Sequence, residues 1–539
     1  MARILSLLQA GKHTDLTSFF STAFLGFYLP LCVVFYALVP KKFKKYALLL
    51  ESLGFFWLIS GSRIVWLLGT VLIVWGCGLW MDAVLKKRDA ELAAAERPRR
   101  KEIKRRYQGK LRWILALGAL ANLGVLLTLK YAGFALRNVN ALFGLTLNVP
   151  KYLMPIGISF YTLQAIAYLF DVYHEKISAD RNLLRVALFL SFFPQIVEGP
   201  ICRYSETADR LWNCEPIRYE NLTAGLQRLL FGLMKKLVVA DRLNTFVKAV
   251  FADSGSFSGG VIGLAALCYT VQLYMDFSGS MDAVAGVGQI FGISMPENFR
   301  RPFFSRTISE FWNRWHITLG TFFRDYIFYP VTMSKPMKKL TNAARKKLGN
   351  HFGPLLAGSV ALFCVWFANG VWHGAAWSFI FFGMYHFALI LTGSLIAPLV
   401  KKTNDRLHIS PEHPVYRGLQ IFRTCVLVVI GELFFRADGL REGMRMFGKM
   451  VTDFRFTGFF AQTAEISFDR KDALITAITV LIVFAVSLMN EKGICLRAEI
   501  AKKPVALRWA IWYTLILYIL IFGAYGTGYV PVDPMYANF

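Results

Sequence analysis

A chain of 539 residues, 55% hydrophobic and 15% aromatic, carries 61 Lys and Arg against 34 Asp and Glu, for a formal net charge of +27. Apolar content at that level, gathered into long runs broken by short basic stretches, excludes an ordinary soluble domain and is the composition of a multi-span membrane protein. The positive charge does not call for a nucleic-acid partner, because basic loops are the default in membrane proteins and no nucleic-acid motif accompanies them.

Crossing a hydrocarbon core takes roughly 20 apolar residues per helix, since backbone N–H and C=O groups cannot be left unpaired in lipid. Runs that approach this length lie at 22–39, 46–60, 64–82, 113–133, 153–172, 183–199, 260–277, 355–369, 376–399, 417–435, 473–489 and 508–525. The expected fold is an all-α polytopic bundle of about 11–13 membrane helices, the shorter ones re-entrant. The first thirty residues lack the basic, apolar and small-residue order of a cleaved signal, so the first apolar run is expected to stay.

Basic charge orients the spans, since Lys and Arg are retained on the cytoplasmic side. Lys41, Lys42, Lys44 and Lys45 and the larger run from Lys86 to Arg112 are separated by two spans, so both can be cytoplasmic with the N-terminus outside. The same parity places 137–151 outside and 173–186 inside. The Lys335–Lys347 cluster and the pair Lys401 and Lys402 also read as cytoplasmic. Residues 84–112 form a basic cytoplasmic loop, expected to be a solvated helical hairpin near anionic lipid. With no fixed-period repeat and no Gly/Ser or Pro-rich linker, 1–539 reads as a single membrane-embedded domain. The eight cysteines show no CxxC spacing and imply neither a disulfide framework nor a zinc site.

Between 152 and 390, polar residues sit within or beside apolar runs: Gln164, Asp171, Gln195, Glu198, Gln272, Asp276, Asp282, Glu310, His316, Asn369, His373 and His386. Each costs about 2.5 to 3.5 kcal/mol at a helix centre if ionised, so such clusters face a bundle interior or a cavity. This stretch is the expected catalytic core. Thr307 and Glu310 have the spacing of a capping box that starts a helix. On that helix Glu310 and Arg314 can pair, and Trp312 and His316 are placed on one face by the same spacing. His316 reads equally as a structural histidine at a helix interface.

His373 lies deep in an apolar run, between Trp372 and the small residues Gly374, Ala375 and Ala376. Gly370 and Gly374 have the GxxxG spacing that lets helices approach. Small residues beside an imidazole leave room for a substrate, and Asn369, one turn earlier, can orient the ring. A buried neutral imidazole can serve as general base or nucleophile near neutral pH. The bland alternative is a packed histidine, which is the reading given to His386 beside Tyr385. Asp276 and Asp282 stand in a Gly-rich apolar context, but neither HxxxH nor HExxH is present, and no metal is expected. No GxSxG elbow appears, so a covalent serine is not supported.

Taken together, FFSTAFLGFYLP at 19–30, MPIGISFYTLQAIAYLFDVY at 154–173, FFPQIVEGPICRY at 192–204, YMDFSGSMDAVAGVGQIFGI at 274–293, FRRPFFSRTISEFWNRWHITLGTFFRDYIFYP at 299–330 and GVWHGAAWSFIFFG at 370–383 resemble the membrane-bound O-acyltransferases (MBOAT), in the alginate O-acetyltransferase branch. Residues 401–539 are similar only loosely, apart from the aromatic C-terminus PMYANF. The resemblance implies a bundle around a central tunnel in a bacterial cytoplasmic membrane, with His373 and His316 matching the family's two histidines. It implies acetyl-CoA as donor substrate with no permanently bound cofactor. It also implies an extracytoplasmic SGNH-type acetyltransferase as partner in modifying a polysaccharide. Asn369, Trp372, Asp276, Trp312 and Arg314 are expected to position substrate or ring around the histidines. D-alanyl transfer to teichoic acid is the neighbouring activity. A transporter is the alternative from another class, though no half-repeat is present.

Overall fold

The computed structural model describes residues 14–150 and 152–525. The C-terminal PMYANF and residues 1–13, including the N-terminus expected outside, lie beyond the described residues. Among the described residues no β-strand forms, and Phe299 and Trp315 make only an isolated antiparallel bridge.

Among the described residues eight helical stretches are long and apolar enough to cross a membrane: Lys41–Ala94, Arg97–Phe143, Gly259–Ile290, Lys335–His373, Trp377–Arg406, Pro414–Arg436, Arg470–Glu491 and Val505–Phe522. The first contains two helices, Lys44–Ser60 and Ile64–Ala94, which meet at Gly61 with φ 57°. Leu31, Trp113, Leu153 and Leu517 are exposed, as apolar side chains facing lipid are. The expected all-α polytopic membrane architecture therefore holds. Three expected spans are shorter than a crossing. The run at 22–39 is helical over Phe24–Leu38 and too short to be a full span. The run at 153–172 gives the 16-residue helix Ile158–Tyr173, about 24 Å long at 1.5 Å per residue. The run at 183–199 is not one helix: Leu183–Ser191 stops at Phe192, and Pro194, which has no N–H to donate, sits in the first turn of Phe193–Ile196. The basic segment 84–112 is helical on both sides of a break at Ala95 and Glu96, and Arg106 pairs with Glu91 across it.

The described residues form two compact units, one of 14–229 and 283–296, the other of 230–282 and 297–525. In the first, Phe24, Phe55 and Phe193 pack ring to ring with centroids 5.9 to 6.4 Å apart. Gly157, at φ 76°, lies so close to the Ile196 carbonyl that a Cβ would sit 1.8 Å from its oxygen. Only glycine fits there, which sets where Ile158–Tyr173 begins. Two buried amides donate to backbone carbonyls: Gln164 Nε2 to that of Pro200 (3.2 Å) and Gln195 Nε2 to that of Phe189 (2.6 Å).

The second unit holds both histidine segments. Its helix Lys335–His373 breaks at Gly349 (φ 79°), which separates a basic arm from the apolar stretch that ends in His373. That stretch and Trp377–Arg406 form a hairpin. Gly370 and Gly383 line its seam: a Cβ on Gly370 would lie 2.6 Å from the Phe379 oxygen, and one on Gly383 would lie 2.3 Å from that of Trp366. The expected GxxxG pairing is corrected here. Gly374 is extended beyond the helix end, so the close approach belongs to Gly370 and Gly383.

Candidate active site

Thr307 caps the helix Ile308–Arg314, its Oγ1 accepting from the Glu310 N–H at 3.1 Å. The capping box is completed one residue early, since the Glu310 carboxylate accepts from the Arg306 N–H at 2.8 Å. Glu310 and Arg314 pair at 2.8 Å, as their spacing predicts.

His316 is not on this helix, and the expectation that it shares a face with Trp312 is overturned. The helix ends at Arg314, Trp315 is extended, and His316 takes a left-handed conformation (φ 47°, ψ 50°) ahead of Ile317–Phe323. The turn is held by residues 298–300 running alongside. The Arg300 N–H donates to the Arg314 carbonyl (2.9 Å) and the Ile317 N–H to that of Asn298 (3.0 Å). Asn298 Oδ1 accepts from the Thr318 N–H (3.0 Å) and Oγ1 (2.9 Å) and lies 3.2 Å from His316 Nδ1.

The Thr318 N–H fixes which end of the Asn298 amide is oxygen, so His316 Nδ1 carries the hydrogen and Nε2 is the basic nitrogen. His316 is 3% exposed. Burial, and secondarily the neighbouring His373, holds its pKa well below the usual histidine value, so the ring is neutral at physiological pH.

His373 is the last residue of its helix and 6% exposed. Trp372 (5.0 Å), Phe435 (5.1 Å) and Phe382 (6.0 Å) meet its ring edge to face. Trp372 also meets His316 at 5.7 Å, so one indole touches both imidazoles. Phe277 closes the other side of His316 at 4.8 Å. The result is two buried imidazoles in an aromatic enclosure, held away from bulk water.

The remaining predicted residues divide. Trp372 sits at the centre. Asn369 is buried one turn before His373, but its Oδ1, the atom that would receive an imidazole N–H, accepts no hydrogen bond. Trp312 instead donates Nε1–H to Nδ1 of His386 at 3.2 Å. Arg314 is engaged by Glu310 and by Glu491 at 3.2 Å. Asp276 is engaged by Lys236 at 2.7 Å, and Lys236 also reaches Asp241 at 3.0 Å. Asp282 pairs with Lys235 at 2.7 Å. Among the described residues no group of three or more His, Cys, Asp or Glu could hold a metal ion. Asn298, Phe277, Phe382 and Phe435 are additions from the structure. Phe277 and Phe382 lie within the stretches 274–293 and 370–383, yet local spacing sets none of the four against the histidines, because each reaches them through the fold.

Residues 174–344 match the model of the membrane-bound O-acyltransferase family, a span that contains His316 and ends before His373. The chain is 31% identical over 474 residues to a probable alginate O-acetylase of Azotobacter vinelandii, covering 87% of this chain and 85% of the relative. It is 31% identical to the peptidoglycan O-acetyltransferase of Helicobacter pylori, covering 63% of this chain and 64% of that one. To the teichoic acid D-alanyltransferase of Bacillus subtilis it is 29% identical, covering 44% and 58%. Membrane-crossing helices, paired buried imidazoles and similarity over most of the chain lead to one conclusion: this protein belongs to the membrane-bound O-acyltransferase family and is a multi-pass membrane O-acyltransferase.

Proposed function

We propose that the protein moves an acetyl group from cytoplasmic acetyl-CoA through a tunnel in the bundle to a hydroxyl acceptor on the outer side of a bacterial cytoplasmic membrane, for O-acetylation of a surface or exported polysaccharide. The observation that carries the reading is the pair of buried imidazoles, His316 and His373, joined by Trp372. An SGNH-type acetyltransferase outside the membrane is the partner that completes delivery. Basic residues on the cytoplasmic face, with Lys335, Lys338 and Lys339 among them, favour approach of the CoA phosphates.

In the general-base form of the reaction, His373 takes the hydroxyl proton as the acceptor oxygen attacks the thioester carbonyl. The tetrahedral intermediate then expels the CoA thiolate, which recovers the proton from the imidazolium. In the nucleophilic form, His373 becomes an acyl-imidazole as CoA leaves as the thiolate, and the acceptor oxygen then takes the acyl group while its proton passes to the thiolate and the free imidazole is restored. His316, with its hydrogen on Nδ1, offers a second basic nitrogen. Asn369 and Trp372 position the reacting groups, and Trp312, Arg314 and Asp276 hold the surrounding elements.

Acetyl is favoured over D-alanyl by coverage. The similarity to alginate O-acetylases runs through most of the chain, whereas that to D-alanyltransferases covers about half. The decisive assay is CoA release from labelled acetyl-CoA in proteoliposomes, with and without a polysaccharide acceptor. Wild type should release CoA with acceptor present, His373→Ala should lose at least about 100-fold in turnover, and His316→Ala should be severely impaired. Wild-type turnover in purified His373→Ala would remove His373 from the reaction, and acceptor-independent solute flux without CoA release would favour a transporter.

A further inference from the structure

His386 lies on Trp377–Arg406 and is fully buried, outside the pair of imidazoles assigned to the reaction. Its Nδ1 accepts the indole N–H of Trp312 at 3.2 Å, which in a neutral ring puts the hydrogen on Nε2. Phe382 packs edge-on at 4.7 Å, and Trp366 lies 5.4 Å away on the other arm of the hairpin. The third side is closed by Gly431, where a Cβ would come within 2.8 Å of His386 Nε2. The ring is therefore clamped with its acceptor facing Trp312.

Trp312 meets Trp366 at 5.0 Å, Phe382 at 5.9 Å and His386 at 4.9 Å, so both arms of the His373 hairpin hold it. Four residues later the same segment presents His316, whose left-handed backbone leaves the Ile308–Arg314 helix behind. The segment bearing His316 is thus tied to the hairpin bearing His373 through the Trp372 ring between the imidazoles and through Trp312. The hydrogen bond from Trp312 to His386 adds a directional polar contact that fixes the rotation of Trp312. Phe382 touches both His373 and His386, so a shift at one ring is felt at the other.

We propose that His386 is a positioning residue for acyl transfer: by accepting the Trp312 indole hydrogen it sets the placement of His316 against His373. This inference rests on the acyltransferase reading of those two histidines. A role confined to stability would lower the yield of folded protein and leave the kinetics of the folded fraction alone. A positioning role lowers kcat in folded protein and leaves KM for the donor in place, because the donor binds before the geometry is tested.

The experiment uses the full-length protein in proteoliposomes with acetyl-CoA as donor, rates being normalised to folded protein by size exclusion. His386→Phe removes the acceptor while keeping a ring. His386→Asn restores an acceptor oxygen near the place of Nδ1. Expected are a loss of kcat of about 10-fold or more in His386→Phe at a KM within about 2-fold, and recovery of most of it in His386→Asn. Trp312→Phe should reproduce the loss, and the double variant with His386→Phe should be no worse than either single one, because both remove the same bond. Wild-type kcat in folded His386→Phe overturns the positioning role alone, as do additive losses in the double variant. Wild type that releases no CoA overturns the acyltransferase reading and this inference with it. If His386→Phe does not fold, Trp312→Phe and His386→Asn decide: normal kcat in the first, or a loss in the second equal to that of His386→Ala, overturns the role.

Discussion

The side-chain oxygen of Asn298 lies 3.2 Å from Nδ1 of His316 while it accepts two hydrogens from Thr318. One oxygen thus fixes the turn and the tautomer of the imidazole together. The residue that makes His316 a base through Nε2 is 18 positions away in sequence and was invisible to motif reading.

Replacing Asn298 should therefore act on chemistry as well as on folding. Asn298→Ala strands buried donors on Thr318, each worth about 1–3 kcal/mol when left without an acceptor, and releases the His316 ring. We expect kcat to fall by about 10-fold or more, measured as CoA release by the folded fraction. Asn298→Asp keeps an acceptor but adds negative charge, which favours the imidazolium, so the acid limb of its pH–rate profile should move upward. An unmoved profile would mean that Asn298 does not face the titrating ring.

The pH dependence of the wild type follows from burial of His316, which lowers its pKa well below the ordinary value. Activity that depends on the neutral ring should stay level as pH falls through about 6.5, the value of a free histidine, and decline only in more acid solution. Stability has a matching sign. Below about pH 6.5 the unfolded chain takes up a proton that the native ring refuses, so His316 costs stability progressively as pH falls toward its native pKa, and costs none above about 6.5. A pH–rate profile paired with detergent melting curves checks both. An acid limb at the free-histidine value would show that the ring is solvated in the working protein.

The seam of the His373 hairpin makes a third prediction. A methyl group on Gly383 would stand 2.3 Å from the Trp366 carbonyl, with Gly370 also close by, so Gly383→Ala must part the helices. Overpacking of this kind costs about 1–3 kcal/mol, and it displaces Trp366, against which Trp312 rests. Lower Tm and lower turnover should appear together. A Gly383→Ala protein that melts and turns over like wild type would show that the two helices do not meet along this line.

The sequence by itself determined that the chain spans a membrane many times with helices, because a long apolar run has no other way to satisfy its backbone in lipid. It marked His373, since an imidazole in an apolar run costs free energy and so stands out, whereas His316 was singled out by the family resemblance. Local spacing also located the Thr307 cap and the Glu310–Arg314 pair, both of which depend on residues three or four apart. Only the tertiary structure decided what surrounds the histidines. The left-handed turn at His316, the hold of Asn298, the Trp312–His386 bond and the engagement of Asp276 by Lys236 join residues that are distant in sequence or lie where the helical period has stopped. Periodicity predicts which residues share a face only while one helix continues. At Trp315 it ends, and from there long-range packing sets the geometry.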